Sequence, residues 1–257
     1  MSIKQVLTLP ILSLLLICSA TAVAFAEESS QPTPSPTPRR ALGKPVNGSR
    51  GFEQFGGRDA SSRLIAAGAT RGGIEASGPL ANGLENYRAG KYEAAVRDLR
   101  QAVQQQPNSD DAHYALALAL TEAKQLNEAI EEFKQVLALT IDPDLKIFSC
   151  YNMGNVYFDL GKYAEAIESY KAAIEIDPTL SKPHNNLGLA YAATSKINEA
   201  AAEFAEAVRL KPDYAEAHYN LGVAYLQLGK KKDAQNEQQM LMKLKSELAA
   251  KLDSFIK

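Results

Sequence analysis

The chain contains no tryptophan, and only two of its 257 residues are cysteines and three are histidines. The two cysteines lie far apart. Cys18 falls in a segment that reads as a removable leader, which leaves Cys150 alone, so no disulfide framework is implied. No run of one charge sign stands out. Residues 79–257 carry 20 Lys and Arg against 25 Asp and Glu, and residues 1–78 carry 8 against 5. Neither balance gives the concentrated basic face that nucleic acid requires. No nucleophile elbow, phosphate loop or HExxH spacing is present, so no motif supports an enzyme. Long apolar runs are also missing. Val6 to Ile17 holds about a dozen residues, short of the ~20 a bilayer-spanning helix needs. With 46% hydrophobic residues, a sizeable core is nevertheless within reach.

Residues 1–26 fit a secretory signal: Lys4 supplies the positive start, Val6 to Ile17 the apolar stretch, and Ala24-Phe25-Ala26 an A-x-A cleavage site. An uncleaved anchor helix is the alternative. Lipid anchoring at Cys18 is not expected, because Ile17 occupies the slot where a lipobox places a small residue. Residues 27–78 read as a disordered tether. Gln31 to Pro38 alternates proline with Ser and Thr, a composition that favours polyproline II and a semi-rigid spacer. From Arg50 to Gly78 the chain is rich in Gly, Ala and Ser and holds too few large apolar residues to offset the entropy of ordering.

The rest is periodic. Gly154, Gly188 and Gly222 stand 34 residues apart, as do Tyr157, Tyr191 and Tyr225, and Ala166, Ala200 and Ala234; Pro178 recurs at Pro212. Self-similarity at this period marks a solenoid of repeated supersecondary units. Each unit holds two helical patterns, A and B. Small residues at the glycine and alanine positions allow the pair to cross closely, aromatics fill the space between, and proline stops the second helix. An earlier unit shows helix B clearly, through Tyr92, Ala95, Val96, Leu99, Ala102 and Val103, whereas its helix A is degenerate, with Pro79 near the start and Asn86 where an aromatic is expected. The second unit starts at Asp110, read as an N-cap, and has Ala117 and Lys124 where others have glycine. The step from Asp110 to the next start, Ile147, is 37 residues rather than 34, which predicts a bulged loop at Asp142 to Lys146. In the last unit Gln235 and Gln238 replace apolar residues. Met240, Leu241, Leu244, Leu248, Leu252 and Phe255 then form a stripe that reads as one long final helix, or two, closing the stack.

This period and these residues resemble the tetratricopeptide repeat (TPR) family, whose unit is a helix–turn–helix with the pattern W-x2-L-G-x2-Y…A-x3-F…P. The resemblance implies an all-α, right-handed α-solenoid of about five hairpins, near residues 76–109, 110–146, 147–180, 181–214 and 215–245, with a C-terminal cap at 246–257. It also implies that the sixth position of helix A faces the concave wall. There Asn152, Asn186 and Asn220 recur. A ladder of carboxamides, each able to donate and accept, suits the backbone of an extended peptide. Tyr114, Tyr151, Tyr219, Asn155, Phe158 and Lys182 occupy neighbouring groove positions. A carboxylate clamp is a second family option. Asn155 and Asn186 match two of its positions, but Glu216 and Asn220 stand where basic residues belong and Lys182 comes one repeat early.

His113, His184 and His218 share the fourth position of helix A, with Cys150 in the same slot. Equivalent positions lie roughly 10 Å apart at the usual helix spacing, so no shared metal site and no catalytic set is expected, and no cofactor. The expected function is a non-enzymatic scaffold for a protein or peptide ligand, in the periplasm or secreted, with no membrane span once the signal is removed. The rival reading is self-association through residues 240–257 without a peptide ligand.

Overall fold

The computed structural model describes residues 78–257, and the segments expected to form a leader and a tether lie, up to residue 77, outside them. The described residues form eleven helices and no strand. They run as α1 (Pro79–Arg88), α2 (Tyr92–Gln105), α3 (Asp110–Glu122), α4 (Leu126–Leu139), α5 (Pro143–Asp159), α6 (Tyr163–Ile176), α7 (Ser181–Ala193), α8 (Ile197–Leu210), α9 (Ala215–Gln227), α10 (Lys231–Lys243) and α11 (Leu248–Ile256). Consecutive helices pair as hairpins: α1 with α2, α3 with α4, α5 with α6, α7 with α8, and α9 with α10. Each first helix also packs on the second helix of the hairpin before it. Contacts therefore pass from neighbour to neighbour, as in a stacked repeat array.

Each crossing follows from its small residue. A methyl group on Gly154 would sit 2.6 Å from the Tyr170 ring, and one on Gly188 would sit 2.6 Å from Phe204. Both rings are fully buried, as are Ala166, Ala173, Ala200 and Ala207. The first hairpin is more regular than its sequence suggests. Gly83 meets the Leu99 side chain at a similar distance, so the close crossing is kept although the aromatic is not.

The turns inside the hairpins share one geometry. Gly90, Gly161 and Gly229 adopt φ of 71°, 73° and 72°. After each, the next amide donates to a carbonyl five residues back, as from Lys162 to Tyr157 at 2.9 Å, the closing bond of a Schellman cap. Lys124 and Ser195 hold the same left-handed turn at φ of 62° and 64°.

Two local expectations are corrected, and a third, left open between one helix and two, is decided. The cap of α3 is Ser109, whose hydroxyl accepts from the Ala112 amide at 3.2 Å, and Asp110 is the first helical residue. The three extra residues before the third hairpin do not bulge. They extend α5 to 17 residues, because Asp142 caps it by accepting from the amides of Asp144 (2.8 Å) and Leu145 (3.2 Å) and Pro143 suits the first turn. The last apolar stripe is two helices, broken at Lys245 with φ of 53°. Leu252 of α11 fills the place left by Gln238: it would meet a methyl on Gly222 at 2.5 Å, while Gln238 turns aside to donate to Asp253 at 3.0 Å.

Candidate protein-interaction wall

The nine residues expected at the groove divide into two groups. Tyr114, Tyr151, Asn155, Asn186, Tyr219 and Asn220 are buried, whereas Asn152, Phe158 and Lys182 are partly exposed. The buried amides are engaged with the protein itself. Asn186 is fully buried, and its Nδ2 donates to the Tyr151 hydroxyl at 3.2 Å and to Asn155 Oδ1 at 2.8 Å. Asn220 Nδ2 donates to Asn185 Oδ1 at 2.9 Å, and Asn152 Nδ2 donates to the Tyr114 hydroxyl at 3.0 Å. One rule covers all three. The asparagine in the sixth position of helix A donates to the side chain in the fifth position of the preceding helix A.

The reading of Asn186 and Asn220 as open rungs for a ligand is therefore corrected. Their donors fasten hairpin to hairpin, because a buried amide left without a partner costs roughly 1–3 kcal/mol. The bonds join into a chain. Tyr170 donates its hydroxyl to Asn155 Oδ1 at 2.8 Å, Asn185 donates to Asn186 Oδ1 at 3.1 Å, and Asn220 closes on Asn185. Six side chains from α5, α6, α7 and α9, Tyr151 among them, are linked in this way. Burial raises the Tyr151 hydroxyl to a pKa of about 12, opposed by its bonds with Asn155 and Asn186, so it stays a neutral member of the set. The reading of the sequence missed Asn185. Its signal was available, since it stands 34 residues after Tyr151, in the same fifth position.

The accessible members differ in character. Phe158 packs edge-on against Tyr163 with ring centroids 5.1 Å apart. Lys182 is held below the ordinary lysine pKa by burial first and then by Lys211, with Glu216 pulling the other way. Around Tyr219 the last helix contributes, since the Lys251 ammonium lies 4.9 Å from its ring centroid.

The histidines occupy a different part of each hairpin. In His113, His184 and His218, Nδ1 lies 2.6, 2.7 and 2.6 Å from Oε2 of Glu132, Glu203 and Glu237. Nε2 lies 3.0, 3.2 and 3.0 Å from the carbonyl oxygens of Pro107, Pro178 and Pro212. The expectation of a shared packing slot holds, but sequence reading missed the partners, which recur 19 residues after and 6 residues before each histidine. Among the described residues no group of three or more His, Cys, Asp and Glu is gathered as a metal site. No helix there is long and apolar enough to cross a membrane.

Stacked helical hairpins of fixed length, crossing at small residues and closed by an extra helix, define an α-solenoid repeat protein. Sequence comparison gives the family. A model described as "TPR repeat" matches residues 154–195 and 190–229, and two described as "Tetratricopeptide repeat" match 87–146 and 215–247. The chain belongs to the tetratricopeptide repeat family. Among characterised relatives it is 34% identical over 100 residues to the "Small glutamine-rich tetratricopeptide repeat-containing protein 2" of Mycosarcoma maydis, covering 38% of this chain and 27% of that one. It is 29% identical over 76 residues to the "Photosystem I assembly protein Ycf3" of Cuscuta gronovii, covering 30% and 45%. The chain thus spans less than half the length of either relative. Among solved structures, MamA superposes with a TM-score of 0.59 at 21% identity, over 63% of this chain and 94% of that one. YrrB, described as "a TPR protein with an unusual peptide-binding site", superposes with a TM-score of 0.56 at 20% identity, over 67% and 88%. These likenesses establish the fold.

Proposed function

We propose that this protein is a non-enzymatic scaffold, exported to the cell envelope, that receives an extended peptide or a partner's helix along the wall formed by successive A helices. The observation that carries the reading is the division of labour on that wall. Buried amides and hydroxyls of α3, α5, α7 and α9 fix the hairpins in register, while Asn152, Phe158 and Lys182 remain accessible on the framework they hold. A fixed wall loses little entropy when a ligand binds. The three side chains supply an amide for backbone pairing, an aromatic face, and a cation whose hydration is already partly removed. The description of YrrB as a TPR protein with a peptide-binding site supports peptide binding as a use of this fold, and the signal-like composition of residues 1–26 supports export.

Peptides selected by display on the full chain test the proposal. Changing Asn152, Phe158 and Lys182 together to alanine is expected to weaken their binding by about tenfold or more; the unfolding midpoint also falls, because the Asn152–Tyr114 bond and the Phe158 ring are lost, so affinity is read well below that midpoint. Unchanged affinity would remove the wall from the account. Cell fractionation, with the mature N-terminus read by mass spectrometry, tests export; a chain that keeps residues 1–26 and stays inside the cell would refute it.

Self-association is favoured by one observation. Met242 is 62% exposed and Phe255 is 37% exposed, both near the C-terminal end. Truncating residues 240–257 would be a poor test, because Leu241 and Leu252 are fully buried. Met242→Ser with Phe255→Ser spares the core. Loss of a dimer by light scattering would support assembly through this end, and an unchanged mass would exclude it.

A further inference from the structure

We propose that His184 and His218 are doubly protonated cross-braces, each tying two helices and the preceding turn together, so that the last two hairpins tighten as pH falls toward 6 and loosen as it rises; His113 makes the same contacts. The chemistry follows from the partners. An ionised carboxylate and a peptide carbonyl are both acceptors only. A ring with one nitrogen on each must donate twice, and only the imidazolium does so. Each ring stands on helix A. Glu132, Glu203 or Glu237 reaches it from helix B of the same hairpin, and the proline carbonyl reaches it from the turn that precedes the hairpin. Glu206 of α8 adds a weaker attraction to His184 and is itself paired with Arg209 at 2.6 Å.

Within this one chain the three parts come and go together. In the third hairpin the histidine slot holds Cys150, the glutamate slot Ser169, and the proline slot Asp144. Ser169 donates instead to the Glu165 carbonyl at 2.8 Å. The loss of all three partners in one hairpin marks them as a unit, and it rules out the histidine position as a general requirement of the fold.

The direction of the effect follows from the free energies of protonation. Burial disfavours the charge on His184, but the bond and attraction of Glu203 outweigh it, and the pKa is raised; at His218 the bond from Glu237 leads and burial opposes, with the same net direction. A raised folded-state pKa gives stability that is complete below the unfolded value, ~6.5, and is lost as pH rises through the folded value. Of the chain's three histidines, His184 and His218 carry the effect. Cys150, its thiol raised to about 11 by burial, stays protonated throughout.

Thermal unfolding of the full chain from pH 6 to pH 8.5 tests the proposal. The midpoint is expected to fall with rising pH, by about 2–4 °C for each brace. A variant carrying Glu203→Gln and Glu237→Gln is expected to show a flat profile over the same range. Should that variant fail to fold, imidazole 15N shifts of the wild-type chain at pH 6.5 decide the matter, because two protonated nitrogens are expected on the His184 and His218 rings. A pH-independent wild-type midpoint, or one bare nitrogen on the His184 and His218 rings at pH 6.5, would overturn the proposal.

Discussion

The third and fourth hairpins share a backbone but are held by different chemistry. In the third, Tyr170 lies against Gly154 and its hydroxyl donates to Asn155. In the fourth, Phe204 lies against Gly188, and the position equivalent to Asn155 is Leu189, 2% exposed. An aromatic with a hydroxyl faces an amide, and an aromatic without one faces a leucine. The ends of the hairpins alternate in the opposite sense. The fourth carries the His184–Glu203 pair and the third carries Cys150 and Ser169. Each hairpin thus has one specific polar tie beyond its apolar packing, placed near the crossing in one and near the preceding turn in the other. The comparison shows that the repeat fixes where helices cross, while the polar contacts that secure them are free to move as matched sets.

The largest test of this contrast is removal of the crossing aromatic. Phe204→Ala is expected to destabilise by about 3–5 kcal/mol, and Tyr170→Ala by at least as much, since it also removes a partner of buried Asn155. Denaturant unfolding reads both. Comparable losses in the two hairpins would show that apolar packing dominates each. Next comes the reverse change. Gly188→Ala pushes a methyl into Phe204 and is expected to cost about 1–3 kcal/mol. If it proves neutral, the close crossing is not what glycine is needed for.

Smaller and sharper is the hydroxyl exchange. Tyr170→Phe is expected to cost about 1 kcal/mol by the same amount at pH 6 and pH 8. Phe204→Tyr is expected to cost about 1–3 kcal/mol, because its hydroxyl would meet Leu189. Equal effects of the two would erase the distinction between the hairpins. The smallest effect lies at the turns. Ser195 holds the left-handed conformation that Gly161 holds in the third hairpin, and a non-glycine residue there costs about 1–2 kcal/mol. Ser195→Gly is expected to recover part of that, raising the unfolding midpoint by about 2–4 °C per kcal/mol.

Residues that recur at a fixed interval were legible in the sequence, and so was the fold built from them. Gly154, Gly188 and Ala200 announce close crossings because each meets a partner a fixed number of residues away in the same hairpin. The candidate wall was legible only as a set of positions. Which side chains it leaves accessible depends on the residue in the fifth position one repeat earlier, and Asn185, Tyr114 and Tyr151 decide that in ways no single repeat reveals. Gly222 makes the same point. Its neighbour is Leu252 of a helix outside the repeat pattern, so periodicity offered no way to find it.

What the sequence determined by itself was local and repetitive: the hairpin period, the crossing points and the turns within a hairpin, each set by the size and backbone freedom of residues within one hairpin. What only the tertiary structure decided was the pairing of polar groups between hairpins and across their ends. The asparagines of the sixth position became fasteners, and three histidines each acquired two acceptors. The reason is that apolar burial depends on size and position, whereas a buried hydrogen bond depends on direction and on a particular partner, which the neighbouring hairpin brings within reach only when the stack has formed.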